Sequence, residues 1–250
     1  MWLLCGALYA LCKWLTWKNA TRVAPAWQRA AYLFAWPGMD ADAFLAPRSL
    51  ARSASAAEWL FPFAKLAFGL AILWIVVPSL PADRPLLRGW IGMIGLIFLL
   101  HFGSFHILSC IWRSLGIDAK PLMNWPILAR SLAEFWGQRW NTAFRDLTYR
   151  FLFRPLAKRF GPRSGLAIGF FTSGLVHELV ISVPAGGGYG LPTLYFVIQS
   201  AGLLIERSKW ARPLRGRVLT AMIVTAPAFG LFHPPFVERV VVPFLDVLQI

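Results

Sequence analysis

Ser164-Gly165-Leu166-Ala167-Ile168-Gly169-Phe170-Phe171-Thr172-Ser173-Gly174-Leu175-Val176-His177-Glu178-Leu179-Val180-Ile181-Ser182-Val183-Pro184 is the stretch whose reading decides the fold. A helix rises about 1.5 Å per residue, so a run of about 20 apolar residues matches a hydrocarbon core about 30 Å thick. Similar runs occupy roughly 58–80, 88–112, 190–206 and 214–235. Residues 2–17 form a weaker one, interrupted by Lys13, and 240–250 is too short to span alone. The opening stretch has no basic region ahead of its apolar part and no small-residue cleavage site, so it reads as a retained first span rather than a signal peptide. The pattern predicts an all-α, polytopic transmembrane helical bundle of about six to eight membrane helices, with interfacial amphipathic helices beside them. No internal repeat, low-complexity tract or long linker is present, so 1–250 reads as a single membrane-embedded domain.

Composition supports the same class. The chain has 250 residues, 58% of them hydrophobic and 14% charged, more apolar side chain than a soluble core of this size hides. Its net charge of +14 invites a nucleic-acid reading, but a nucleic-acid binder carries its basic patch on an otherwise soluble domain. Here the basic residues fall between apolar runs and match the membrane's charge asymmetry. Lys18, Arg22, Arg29, Arg48 and Arg52 crowd the first loop, while only Arg84 and Arg88 follow residue 80. Ten Lys and Arg lie in 113–163, none in 185–189, and Arg207, Lys209, Arg212, Arg215 and Arg217 come next. The basic loops are expected on the cytoplasmic side, in an integral, multi-pass protein of a bacterial inner membrane.

The segment 113–163 is too polar to span, yet Leu128, Leu132, Phe135, Trp136, Trp140, Phe144, Leu147, Phe151 and Leu152 recur at helical spacing. Amphipathic helices in the interface, punctuated by Pro121, Pro126, Pro155 and Pro162, satisfy both facts. Among the four histidines, His177 alone sits well inside a strong span with Thr172, Ser173 and Glu178 for company. Ionisable groups inside a membrane are costly and tend to line cavities or pathways. His101 and His106 read as packing or lining residues, and His233, before Pro234-Pro235, as a turn residue.

Several chemistries are excluded. A zinc-protease helix needs a second histidine four residues after the first, and position 181 is Ile. Ala185-Gly186-Gly187-Gly188-Tyr189-Gly190 lacks a phosphate loop's lysine and a dinucleotide fingerprint's strand. No Gly-x-Ser-x-Gly elbow occurs, and Cys5, Cys12 and Cys110 lack metal or redox spacing. No metal and no resident cofactor are expected. Trp136, Arg139 and Trp140 are also what an interfacial anchor would contain, but the Asn141 amide, if buried, needs partners.

Phe135-Trp136-Gly137-Gln138-Arg139-Trp140-Asn141, Arg150-Phe151-Leu152-Phe153-Arg154-Pro155-Leu156 and Phe171-Thr172-Ser173-Gly174-Leu175-Val176-His177-Glu178 together resemble the membrane-bound O-acyltransferase superfamily, in its wax-synthase-like branch. That branch carries an F-W-x-R-R-W-N block followed by S-G-x-x-H-E. Tyr32-Leu33-Phe34-Ala35-Trp36-Pro37-Gly38-Met39-Asp40 is similar to its entry region, and Gln138 departs from the block where an arginine is common. The resemblance implies acyl transfer from acyl-CoA, as co-substrate, to the hydroxyl of a lipophilic alcohol inside a membrane-embedded tunnel. His177 matches the family's catalytic histidine and Asn141 its partner. Phe135, Trp136, Arg139, Trp140, Ser173 and Glu178 are the expected substrate-binding residues. Arg139, Arg145, Arg150 and Arg154 lie where CoA phosphates would arrive, although topology alone also places basic residues there. Two readings stay open beside this one: acetyl transfer to a terpenoid or sugar hydroxyl, and a non-catalytic transporter or lipid-binding scaffold.

Overall fold

The computed structural model describes residues 2–47, 52–208 and 216–250, and every regular element among them is a helix. Arg48, Lys209, Arg212 and Arg215, counted among the loop charges above, lie outside the described residues. In chain order the helices are α1 (Trp2–Lys18), α2 (Ala26–Ala35), α3 (Ala41–Phe44), α4 (Ala56–Ser79) and α5 (Pro85–Ser114). Then follow α6 over 132–139, α7 over 142–160, α8 (Pro162–Ala185), α9 (Leu191–Glu206), α10 (Arg217–Leu231) and α11 (Pro234–Val247).

Among these, α4, α5 and α8 are long and apolar enough to cross a bilayer, and α10 with α11, bent by 63°, makes a fourth when counted as one span. The 17-residue α1 and the 16-residue α9 fall short of that length, so the six-to-eight count exceeds what helix length supports. A soluble core would bury these helices, yet only 22 to 28% of each of the three long spans is buried. Leu60 and Ile75 of α4 are each 69% exposed, as lipid-facing side chains are.

Four prolines shape the helices in one way. Pro78, Pro155, Pro184 and Pro243 each follow closely on a π-helical turn, at Ile72–Val76, Tyr149–Phe153, Glu178–Ser182 and Val237–Val241. A proline ring has no N–H to give and collides with the carbonyl four residues back, and a widened turn ahead of it relieves both. One of these turns begins at Glu178, so the helix loosens just beyond His177.

Several buried clusters pack the helices. Tyr32, Trp36, Phe44, Ile117 and Leu147 join α1, α2, α3 and α7 to the segment beyond α5. Leu73, Met93, Val237 and Leu245 join α4 and α5 to α11. Ile181, Tyr195, Phe196 and Leu231 join α8, α9 and α10, with Trp136 of α6 packed against them. This last cluster positions the candidate site.

Candidate active site

His177 faces its own helix on one side. Its Nδ1 lies 2.7 Å from the Ser173 carbonyl, which only accepts, so Nδ1 carries the hydrogen and the neutral ring presents a lone pair at Nε2. Nε2 has no hydrogen-bonding partner among the described residues and is not sealed from the accessible surface. The Ser173 hydroxyl donates to the Gly169 carbonyl, so this residue serves His177 through its backbone.

The second wall comes from α9. Phe196 lies against the imidazole with ring centroids 4.4 Å apart. Such proximity needs close helices, and Gly174 permits it: a Cβ there would come within 2.7 Å of the Thr193 Cα. Glu178 locks the same contact. Its Oε1 accepts the Gly190 N–H at 3.0 Å, the Thr193 N–H at 3.0 Å and the Thr193 hydroxyl at 2.9 Å, whereas Oε2 is buried with no hydrogen-bond partner among the described residues. A carboxylate suits the first turn of α9, where N–H groups lack intrahelical acceptors and the helix dipole is positive. Glu178 therefore seats α9 and does not orient His177.

The tryptophan block approaches from α6, which ends in a π turn at Phe135–Arg139. Phe135 stacks on Trp140 at 5.7 Å and 11°, and meets Trp136 edge-on at 5.1 Å. Trp136 donates its indole N–H to Gln199 Oε1 at 3.2 Å, and its ring lies 6.0 Å from Phe196. Trp136 and His177 thus touch the same phenyl ring from different elements. Gln199 was not evident from sequence, although a lone amide within the apolar run 191–206 was a usable signal. It is fully buried and held by a bond from Nε2 to the Ile223 carbonyl at 2.8 Å.

Arg139 and Asn141 are placed differently. Arg139 donates to Glu134 at 2.6 Å and to the carbonyls of Asn124 and Trp125 at 3.1 and 3.2 Å, which spends it on bracing the preceding loop. Two bonds to Glu134, from the Arg130 backbone N–H and from Arg139, hold its carboxyl below the usual carboxylate range. Asn141 sits at φ 43°, ψ 63° and caps α7, its Oδ1 accepting the Phe144 N–H at 3.3 Å. Asparagine tolerates that left-handed backbone better than most residues. Because Oδ1 faces an N–H, Nδ2 is the outward atom, and it makes no hydrogen bond among the described residues. Asn141 and His177 do not hydrogen-bond to each other; the two blocks meet through the aromatic rings.

The remaining histidines separate clearly. His233 is fully buried and caps α11: Nδ1 accepts the Phe236 N–H at 3.2 Å, so Nε2–H donates to Ser182 Oγ at 3.2 Å. This is the turn role expected for it. His106 belongs to a polar group that the sequence did not reveal, with Glu58 at 4.0 Å and Cys110 within the same small volume. Glu58, His106 and Cys110 are metal-ligand types, but the Arg113 guanidinium already holds Glu58 at 2.6 Å and reaches the Cys110 sulfur at 3.5 Å. A cation placed there would meet that charge, so the group fits an ion-paired strut between α4 and α5.

The model of the Membrane bound O-acyl transferase family matches residues 119–198, which include both the tryptophan block and His177. Among curated relatives, "Probable long-chain-alcohol O-fatty-acyltransferase 3" of Arabidopsis thaliana is 29% identical over 167 residues, 54% of this chain and 48% of that protein. "Long-chain-alcohol O-fatty-acyltransferase" of Simmondsia chinensis is 38% identical over 144 residues, 50% of this chain and 41% of that one. "Acyl-CoA--sterol O-acyltransferase 1" of Arabidopsis thaliana is 26% identical over 136 residues, 48% and 39% of the two chains. The chain spans less than half the length of these relatives. They are plant proteins, so the expected bacterial inner membrane has no support from them. No solved structure matches.

Proposed function

We propose that this chain, a relative of the membrane-bound O-acyltransferases in their wax-synthase-like branch, transfers a fatty acyl group from acyl-CoA to the hydroxyl of a long-chain alcohol. The observation that carries the reading is the His177 ring: its Nδ1 is tied to the Ser173 carbonyl, which leaves Nε2 as an unpartnered base. Nε2 takes the proton of the alcohol as its oxygen attacks the thioester carbonyl carbon. The tetrahedral oxyanion is met by Asn141 Nδ2, a donor held outward by the cap on the other side of the amide. The C–S bond then breaks, the imidazolium returns its proton to the thiolate, and ester and CoA thiol leave.

Phe135, Trp136, Trp140 and Phe196 form a continuous aromatic surface between the two blocks and wall the acyl tunnel in this reading. Ser173 positions His177, and Glu178 holds α9 in place. Arg139 is committed to the loop, so the CoA phosphates fall to other basic residues of 113–163. With α1 and α9 crossing beside the four spans, six membrane helices form one acyltransferase domain. The basic loops then share the cytoplasmic side.

The test is to incubate the purified full chain with labelled acyl-CoA and a panel of long-chain, sterol, terpenoid and sugar alcohols, identifying each ester by mass. A long-chain ester that disappears in His177→Ala supports the reading. Acetyl esters of a terpenoid or sugar alone would replace it by the shorter-donor alternative, and absence of any ester would leave a transporter or scaffold.

A further inference from the structure

A cavity of about 320 Å³ opens between the end of α1 and the start of α2, lined by Trp17, Lys18, Arg22, Arg29, Ala24 and Leu45, among others. Three of its side chains are cations and none is an acid. Lys18, Arg22 and Arg29 form no ion pair among the described residues, and Lys18 reaches only the Trp14 ring, at 4.8 Å. Asp42, the acid that meets this loop, is already engaged. Its Oδ1 accepts from the Thr21 N–H and hydroxyl at 2.7 and 3.0 Å, and its Oδ2 pairs with Arg150 at 3.2 Å.

Part of the cavity wall is fixed by the core, while Lys18, Arg22 and Arg29 are exposed along it. Arg150 also donates to the Asn19 carbonyl, so one guanidinium of α7 clasps the loop that carries Arg22 beside Lys18. Ala24 and Leu45 are buried in the first core cluster, against which Trp17 packs, so the floor and one wall are fixed. An anion that reaches the cavity meets three exposed cations, none of them ion-paired among the described residues. Guanidinium forks match phosphate oxygens, and an ammonium adds a point charge.

The surroundings indicate what bears the phosphate. Val23 is 98% exposed and Trp27 43% exposed on the same loop and helix, and Phe34 further along α2 is 87% exposed. Tryptophan and bare aliphatic surface beside cations is the pattern of a membrane interface facing anionic lipid. We propose that this cavity is a phosphate-ester site that seats the headgroup of an anionic phospholipid, with the lipid's chains along the exposed face of α2. Its floor lies in the core of α1–α3 and α7, whereas His177 lies against the α8–α9 cluster, so His177 takes no part in this site, although α7 also carries Asn141 at its start.

The test uses the full chain in neutral detergent, titrated by native mass spectrometry with short-chain phosphatidylglycerol, short-chain phosphatidylcholine, CoA and inorganic phosphate. Near a membrane surface each cation contributes roughly a fivefold gain in affinity. The expected result is preferential retention of phosphatidylglycerol over phosphatidylcholine, weakened about fivefold by Arg22→Gln and on the order of a hundredfold by Lys18→Gln/Arg22→Gln/Arg29→Gln. The thermal midpoint without ligand reports folding, and the single variant decides if the triple one unfolds. Equal binding of the two lipids, or phosphatidylglycerol binding unchanged in the variants, overturns the proposal. Charge-dependent binding of CoA or inorganic phosphate with no preference between the lipids overturns the lipid as the source.

Discussion

At the residue scale, His177 and Asn141 each carry one committed atom and one free atom, and this division sets their predicted phenotypes. His177→Ala removes the base and is expected to lower kcat/KM by about 10²–10⁴ with little loss of stability, measured by single-turnover ester formation and thermal unfolding. Asn141 needs a finer dissection because it also caps α7 at φ 43°. Asn141→Asp keeps an acceptor for the Phe144 N–H but loses the Nδ2 donor, so activity should fall by about 10²–10³ while the thermal midpoint holds. Asn141→Ala loses cap and donor together and should also cost about 0.5–2 kcal/mol of stability. Equal activity of Asn141→Asp and the native protein would remove Asn141 from the reaction. The histidine was legible in the sequence because an imidazole in an apolar run stands out. The cap was not, because positive φ leaves no mark on a single residue type.

At the element scale, α8 and α9 are held together by Gly174 and by Glu178. Gly174→Val places branched carbon where the Thr193 Cα lies 2.7 Å from a modest Cβ, so the helices must part. Overpacking of this kind typically costs about 1–3 kcal/mol, and it would also move Phe196 away from His177. The expected result is a lower unfolding midpoint together with reduced kcat. Glu178→Ala should act alike through the loss of the α9 cap, at about 1–3 kcal/mol for N–H groups left unsatisfied. In α6 the effect is one of pH. The Glu134 carboxyl titrates below its ordinary value of 4.5, so its contribution is complete at neutral pH and is lost as pH falls through the lowered folded value. The protection of 124–139 against hydrogen exchange, corrected for the intrinsic rate, should therefore fall as pH drops below the ordinary carboxylate value of 4.5 in the native protein and not in Glu134→Gln, which lacks the titration. The prolines were readable as breaks in the helical pattern, but the π turns before them become visible only when the backbone path around each ring is known.

At the scale of the whole molecule, the question is which helices cross. If α8 and α9 both cross, Gly187→Cys must label from the side opposite to Arg207→Cys and Arg22→Cys when a membrane-impermeant maleimide is applied to sealed vesicles. Labelling of 187 and 207 from one side would make α9 re-entrant and reduce the span count. The 16 residues of α9 cover about 24 Å at 1.5 Å each, less than the hydrocarbon thickness, so this helix is the informative one.

The sequence by itself determined the all-helical membrane class, because the length of an apolar run is compared with a bilayer thickness that does not depend on tertiary structure. It also singled out His177 and the tryptophan block, because ionisable and amide groups are conspicuous where nearly everything else is hydrocarbon. Only the tertiary structure decided that Glu178 serves α9, that Arg139 serves its own loop, and that Phe196 is the surface on which Trp136 and His177 meet. Phe196 meets partners far away in the chain, and Glu178 and Arg139 reach backbone groups 12 to 15 residues off, on which helical spacing is silent. The free Nε2 of His177 belongs to both: its residue was legible, but its tautomer followed from one carbonyl 2.7 Å away.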